Sequence, residues 1–242
     1  MLNDQVVVAG VSQGGHAAAL TARYAPHYAK DIKLLGSVDA VPPLDVLGHA
    51  VDAVSGGLNA PVNVGNIVAV MVAAQRWYGV PHEALLDVVG AGDLADVEAA
   101  MDAQCDPPEI DRPVEEVFSA AAIAAAQAGD FGAVPGPWGC IFARSSLVDT
   151  DVERLDQTPG LVVVGTDDTL VEPGVERRAV ATLCEQGMSL AFSECQGRGH
   201  EGAFLASIDD MLSFLEARIR GDAVVDACVI GDAHVCSSDP GP

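Results

Sequence analysis

Positive charge is scarce in this chain. Twelve lysines and arginines stand against 35 acidic residues, a formal net charge of −23, and only Lys30 and Lys33 are lysine. A surface that acidic repels phosphate backbones and anionic lipid, which argues against nucleic-acid binding. Long hydrophobic runs are also lacking. Every apolar stretch is interrupted well short of the ~20 residues of a membrane span, so no integral membrane segment is expected. Met1 is followed by Leu2, Asn3 and Asp4 with no basic region, so no signal peptide is read in this chain. Metal-ligand spacing is missing too. The cysteines at 105, 140, 184, 195, 228 and 236 make no CxxC pair and no interleaved Cys/His pattern, so no metal site is expected.

What is present is apolar and globular. Half of the 242 residues are hydrophobic and 19% are charged, enough for one large domain or one domain with a cap. Gln5 to Ala9 is a short continuous apolar run, the pattern of a strand buried on both faces of a parallel sheet. A helical stretch from His16 to Tyr28 follows, with a stop expected near Pro26. Ile32 to Ala40 reads as a second strand leaving the sheet at Pro42-Pro43. Residues 161–165 and 189–194 read as a third and a fourth. Helices are expected over 175–186 and 201–220, the latter stopped by Gly221. Strands alternating with helices predict an α/β fold with a mostly parallel, doubly wound sheet.

From about residue 46 to 155 the rhythm breaks. Helical stretches near 61–77, 81–89, 93–103 and 113–128 replace the strands, and a structureless loop of that length is implausible in a compact domain. The expected organisation is therefore a core from 1–45 and 156–221, a helical cap inserted at 46–155, and a tail at 222–242 without helical or strand period. Trp77, Tyr78 and Trp138 are expected to pack the cap rather than line an acyl pocket, while the stretch Ile67 to Ala74 suits either sheltering a lipid chain or packing the cap.

Gly10-Val11-Ser12-Gln13-Gly14 matches G-x-S-x-G, and it stands between an apolar strand and an Ala-rich helix. In that context the motif makes a sharp turn that lifts the serine hydroxyl from the sheet. Small residues are expected two before and two after it because neighbouring backbone comes too close for a Cβ. The following helix aims its N-terminus at Ser12, and the Gln13 N–H can donate to a developing oxyanion. A serine nucleophile needs a base and an orienting acid, in chain order Ser, acid, His. Gly165-Thr166-Asp167-Asp168 follows the third strand, where the acid belongs. Asp168 is favoured over Asp167, with a helix N-cap as the plain alternative for either. Gly197-Arg198-Gly199-His200-Glu201-Gly202 opens the last helix and presents His200 as the base, with an ordinary loop histidine as the alternative. His16 reads as a packing or polar-cap residue, His27, His49 and His82 as surface or cap positions, and His234 as tail.

Taken together, GVSQGGHAAAL at 10–20, LLGSVDAVPPLDV at 34–46, VVVGTDDTLVEP at 162–173, LCEQG at 183–187, GHEGAFL at 199–205 and FLEARIRG at 214–221 resemble the secretory lipase family of α/β-hydrolases, which includes fungal lipase A-type enzymes and bacterial relatives. The likeness runs from the start to about residue 221. It implies an α/β-hydrolase fold with an inserted helical cap and a lipase or carboxylesterase acting on small-molecule or lipid esters. It implies no cofactor, a triad of Ser12, Asp168 and His200, and Gln13 as half of an oxyanion hole. An exported, disulfide-bonded protein is also implied, against the alternative of buried reduced thiols. Relatives carry, before the elbow, several strands and the second oxyanion donor, and this chain does not show them. A fragment, a non-catalytic remnant, or a sheet completed by another segment are the resulting alternatives, beside a related peptidase or acyltransferase. An exposed sheet edge would also invite self-association.

Overall fold

The computed structural model describes residues 5–57, 60–104, 107–155 and 158–237. In chain order the elements are β1 (Gln5–Val11), α1 (Gln13–Tyr28), β2 (Lys33–Ala40), α2 (Val46–Ser55), α3 (Ala60–Tyr78), α4 (Glu83–Leu86), α5 (Ala91–Gln104), α6 (Val114–Val117), α7 (Ala120–Gln127), α8 (Trp138–Ser145), β3 (Gly160–Gly165), α9 (Pro173–Glu185), β4 (Leu190–Cys195), α10 (His200–Ala206) and α11 (Ile208–Arg220). They form two compact units, Met1–Asp45 with Leu147–Pro242, and Val46–Ser146.

In the first unit the four strands make one parallel sheet in the order β1-β2-β3-β4. Strand β3, GLVVVG, is buried along its whole length. Its alternate residues feed two apolar clusters: Val162 and Val164 pack with Ala19, Leu44, Val180 and Leu183, while Leu161 and Val163 pack with Val38, Ala203 and Met211. The period of two explains the continuous apolar run, since α1 and α9 cover one face and α10 and α11 the other. Among the described residues strand β1 pairs with β2 alone, and none of its seven residues is fully buried. Where the chain leaves β2, the buried Glu176 carboxylate accepts the Leu44 N–H at 3.1 and 3.2 Å, and Leu44 O accepts the Leu147 N–H at 2.8 Å.

Three helix boundaries differ from expectation. Helix α1 passes Pro26 and ends at Tyr28, because a proline in the last turn removes one hydrogen bond without stopping the next: Ala29 N–H still reaches Ala25 O at 2.7 Å. The last helix is two, parted at the buried Ser207, whose hydroxyl donates to Phe204 O at 3.1 Å and competes for a helical acceptor. Between α6 and α7 the backbone extends at Phe118 and Ser119, and the Ser119 side chain caps α7.

The tail has no periodicity because it takes its order from β4. Disulfides join Cys184 to Cys228 and Cys195 to Cys236. His234 N–H donates to Glu194 O at 2.9 Å, and Gln196 N–H donates to His234 O at 2.8 Å, a short parallel bridge along the far edge of the sheet. Cys140 is free and exposed; Cys105 lies outside the described residues.

The second unit is a helical assembly around one apolar core that includes Met71, Leu85, Leu94, Trp138 and Phe142. Trp138 is fully buried and donates through Nε1 to Ala84 O at 3.1 Å; Phe131 meets Phe142 edge-on. Within Ile67 to Ala74, residues Ile67, Val68, Ala69, Met71 and Val72 are buried in this core. Trp77 and Tyr78 are not: they are 84% and 51% exposed, because the last turn of α3 carries them beyond the helices that cover Met71 and Val72. Among the described residues no helix is long and apolar enough to cross a membrane.

Asp39 sits inside the first unit at 2% exposure, with Oδ2 accepting the Ser37 hydroxyl at 3.0 Å and Oδ1 without a partner. Burial pushes its carboxyl up to about 8, against the weaker opposing pull of the Ser37 bond. In the unfolded chain an aspartate titrates near ~3.9. The stability this group confers is thus fully present below that value and is lost as pH rises toward 8. Asp39→Asn is expected to flatten the pH dependence of unfolding. Calorimetry should show the variant gaining about 1 kcal/mol or more on the wild type between pH 5 and pH 8.

Candidate active site

Ser12 is asked to serve two elements at once. Its N–H donates to Ala40 O of β2 at 2.8 Å, continuing the sheet ladder, while its own carbonyl accepts the His16 N–H at 3.0 Å and opens α1. One residue can do both only by turning sharply, and Ser12 stands at φ 57°, ψ −122°. That is a conformation costing on the order of 1–3 kcal/mol for a residue with a Cβ. The glycines around it are partly as expected. A Cβ on Gly10 would fall on the carbonyl of Gly14. Gly14 has nothing within 4 Å of where its Cβ would lie, whereas a Cβ on Gly15 would meet Ala40 O at 2.9 Å and Pro42 Cβ at 3.1 Å. The tight position after the serine is therefore the third, not the second, because α1 turns Gly15 toward β2. Val41, next to Ala40, is also held at positive φ (44°) and buried.

The loops after β3 and β4 are tied to each other. Asp167 N–H donates to Arg198 O at 3.0 Å, Thr166 N–H to Cys195 O at 3.2 Å, and Gly197 N–H to Thr166 Oγ1 at 2.8 Å. Gly165 permits this, since a Cβ there would strike the Arg198 carbonyl. The tie presents Asp168 to His200: Nδ1 of His200 lies 2.7 Å from Oδ2 of Asp168, with the two side chains 13% and 1% exposed. The second carboxylate oxygen of Asp168 accepts the backbone N–H groups of Leu170 and Val171, both at 2.9 Å. Asp167, by contrast, is exposed, and its Oδ1 accepts only the neighbouring Thr166 hydroxyl in this loop. An ionised Asp168 accepts only, so the proton of a neutral His200 sits on Nδ1 and leaves Nε2 as the basic nitrogen.

Ser12, Asp168 and His200 follow β1, β3 and β4, so all three stand at the carboxyl edge of one parallel sheet, where open α/β sheets place their ligands. Asp168 and His200 are in direct contact. Ser12 is brought to the same edge, with β2 between its strand and β3, and it makes no hydrogen bond to His200 here. Gln13 begins α1, and the first N–H groups of a helix have no intrahelical acceptor. Of the remaining histidines, His16 lies in the first turn of α1, its N–H bonded to Ser12 O. His27 Nε2 meets Glu153 O at 2.8 Å, His82 meets Glu98 at 3.2 Å, and His49 is buried in the second unit. Among the described residues no cluster of His, Cys, Asp and Glu could hold a metal ion.

These features define an α/β protein with a parallel four-stranded sheet and an elbow serine. Solved structures of lipases and esterases share that fold. The rice cell wall degrading esterase LipA of Xanthomonas oryzae matches with a TM-score of 0.63 at 20% identity, over 90% of this chain and 57% of that one. Candida antarctica lipase A matches with a TM-score of 0.70 at 15% identity, over 98% of this chain and 54% of that one; its closed state gives 0.66 over 99% and 55%. The chain thus spans somewhat more than half the length of the structures it matches. No family model matches the sequence, and no curated protein does.

The elbow's sterics separate two adjacent substitutions. Gly10→Ala is expected to destabilise the protein by about 1–3 kcal/mol through overpacking. Gly14→Ala, in open space at a helical position, should be neutral or slightly stabilising. Chemical denaturation of both variants reads the difference.

Proposed function

We propose that this chain carries the acyl-transfer machinery of a serine ester hydrolase of the lipase/carboxylesterase type. The observation that supports it most is the 2.7 Å contact between His200 and the buried Asp168, at the same sheet edge as the strained Ser12. Ser12 Oγ attacks the ester carbonyl carbon as His200 Nε2 takes the hydroxyl proton. Asp168 holds the ring on the other side and stabilises the imidazolium. The oxyanion that forms accepts the Gln13 N–H at the positive end of α1. As the carbonyl re-forms, the C–O bond to the alcohol breaks and His200 returns its proton to the leaving oxygen. Water then repeats the sequence on the acyl-Ser12 ester and releases the carboxylic acid. No cofactor or metal enters these steps.

In this reading Val46–Ser146 is a helical cap, and the substrate is a small-molecule or lipid ester. In the same reading the Gln13 N–H is one oxyanion donor, and a second is worth on the order of 10²–10³ in turnover. The two disulfides support an oxidising, exported setting. Likeness to lipases and an esterase supports the substrate class, since a fold alone does not fix chemistry.

The test is cleavage of p-nitrophenyl butyrate beside labelling with a fluorescent alkyl phosphonate. Wild type should hydrolyse the ester and take up one phosphonate, and Ser12→Ala should lose both. Asp168→Asn is expected to lower kcat on the order of 10²–10⁴ with little change in KM, because it leaves His200 in the wrong tautomer. Folded wild type that takes up no phosphonate, or Ser12→Ala that still cleaves the ester, would sink the proposal.

A further inference from the structure

The scarcest side chains of this protein gather in one place. Lys30 and Lys33, its only lysines, line a cavity of about 610 Å³ together with Arg218. The cavity lies where β2 begins at Lys33 and where Pro159 precedes β3. It therefore opens at the amino edge of the sheet, opposite the edge that carries Ser12, Asp168 and His200.

Arg218 is the unusual member. It is 6% exposed, and among the described residues no carboxylate pairs with it. One guanidinium nitrogen donates to Ala223 O at 3.1 Å, Nε has no hydrogen-bond partner, and the Phe214 ring lies 4.9 Å beneath the charge. A buried cation without an anion costs free energy that a bound anion restores. The arginine is also held in place: a Cβ on Gly36 would meet Arg218 Cγ at 2.7 Å, so the stem lies directly against β2. Two carboxylates reach the same cavity, Asp31 and Asp222, but Asp222 is already paired with Arg220 at 2.9 Å. In a chain of net charge −23, a cavity where cations outnumber free carboxylates is selective for an anion.

Thr158 and Gly221 also line the wall, and an apolar strip completes it. Ile32, Leu34, Leu35 and Pro159 line it beside the cations. The volume exceeds what a small inorganic anion fills and falls within the range of small-molecule sites. We propose that this cavity binds an amphiphilic carboxylate, with the carboxylate on Arg218 and the two lysines and a short alkyl chain along Ile32, Leu34 and Leu35. The site is separate from the ester-cleaving edge and does not depend on Ser12.

Isothermal titration calorimetry of the full 242-residue protein with decanoate tests this, with decanol and inorganic phosphate as the partial ligands. Decanoate is expected to bind at one site, about tenfold or more tighter than either partial ligand. Added salt should weaken it. The exposed double variant Lys30→Glu/Lys33→Glu, checked for an unchanged unfolding temperature, should weaken it about tenfold or more. Wild type phosphonylated on Ser12 should bind decanoate as before. Four results overturn the assignment: no saturable binding; binding unchanged in the double variant; decanol or phosphate binding as tightly as decanoate; or binding lost on phosphonylation, which puts decanoate in the ester site.

Discussion

The geometry at the carboxyl edge depends on one backbone hydrogen bond, from Ser12 N–H to Ala40 O. It extends the β1–β2 ladder one residue past the end of β1, at the point where α1 must already begin. Satisfying both ends costs Ser12 a positive φ, and the cost is met by the ladder behind it and the helix ahead of it. The requirement then spreads. Gly10 must be glycine because the returning helix passes over it, and Gly15 because α1 lies against Ala40 and Pro42. Val41 stands at positive φ while donating its N–H to Val163 O, so β2 is gripped from both sides where it supports the serine. A residue held this way by the strand behind it and the helix ahead of it has little freedom to move, and Ser12 stays partly open to solvent.

Asp168 and His200 are secured by different means. Their loops cross-link through hydrogen bonds among Thr166, Asp167, Cys195, Gly197 and Arg198, one of them to the Thr166 hydroxyl, and the Cys195–Cys236 disulfide sits at the end of β4 just before His200's loop. The tail thereby gives the sheet's far strand a neighbour and anchors the segment that carries the histidine. The second disulfide, Cys184–Cys228, joins the tail to the end of α9. Covalent ties suit this place, because the tail has too little apolar periodicity to hold itself down by burial.

Much of this was legible from residue order. Apolar runs such as LVVVG mark strands covered on both faces, and that pattern survives in the structure residue by residue at Leu161 to Val164. The G-x-S-x-G context announced the turn at Ser12, and the loop after the third strand offered Asp167 and Asp168. The difference in their surroundings is tertiary: Asp168 meets His200, and Asp167 faces solvent. Local rules failed where a long-range partner intervened. The burden expected at Gly14 falls on Gly15 because β2 lies there, and the tail's order comes from cysteines whose pairing no spacing reveals. Trp77 and Tyr78 read as core by residue type, but exposure is set by where a helix ends. Pro26 and Ser207 show the same limit: neither residue type dictates an outcome until the hydrogen bonds on either side are known.

Two buried aspartates show how far surroundings set the state of a carboxyl. Asp168 collects three donors, from Leu170, Val171 and His200, so a charge there is met from every side. Asp39 has one donor, Ser37, and one oxygen facing nothing, so burial holds it in the acid form. The difference is one of surroundings, since both carboxyls are nearly inaccessible. Asp39 lies opposite Gly10 in the β1–β2 register and immediately before Ala40, whose carbonyl receives the Ser12 N–H. A charge appearing on Asp39 would be paired with no cation among the described residues and would burden β2 at the point where it props the elbow. A neutral Asp39 leaves that stretch of β2 free of an unpaired buried charge, next to the carbonyl that holds Ser12.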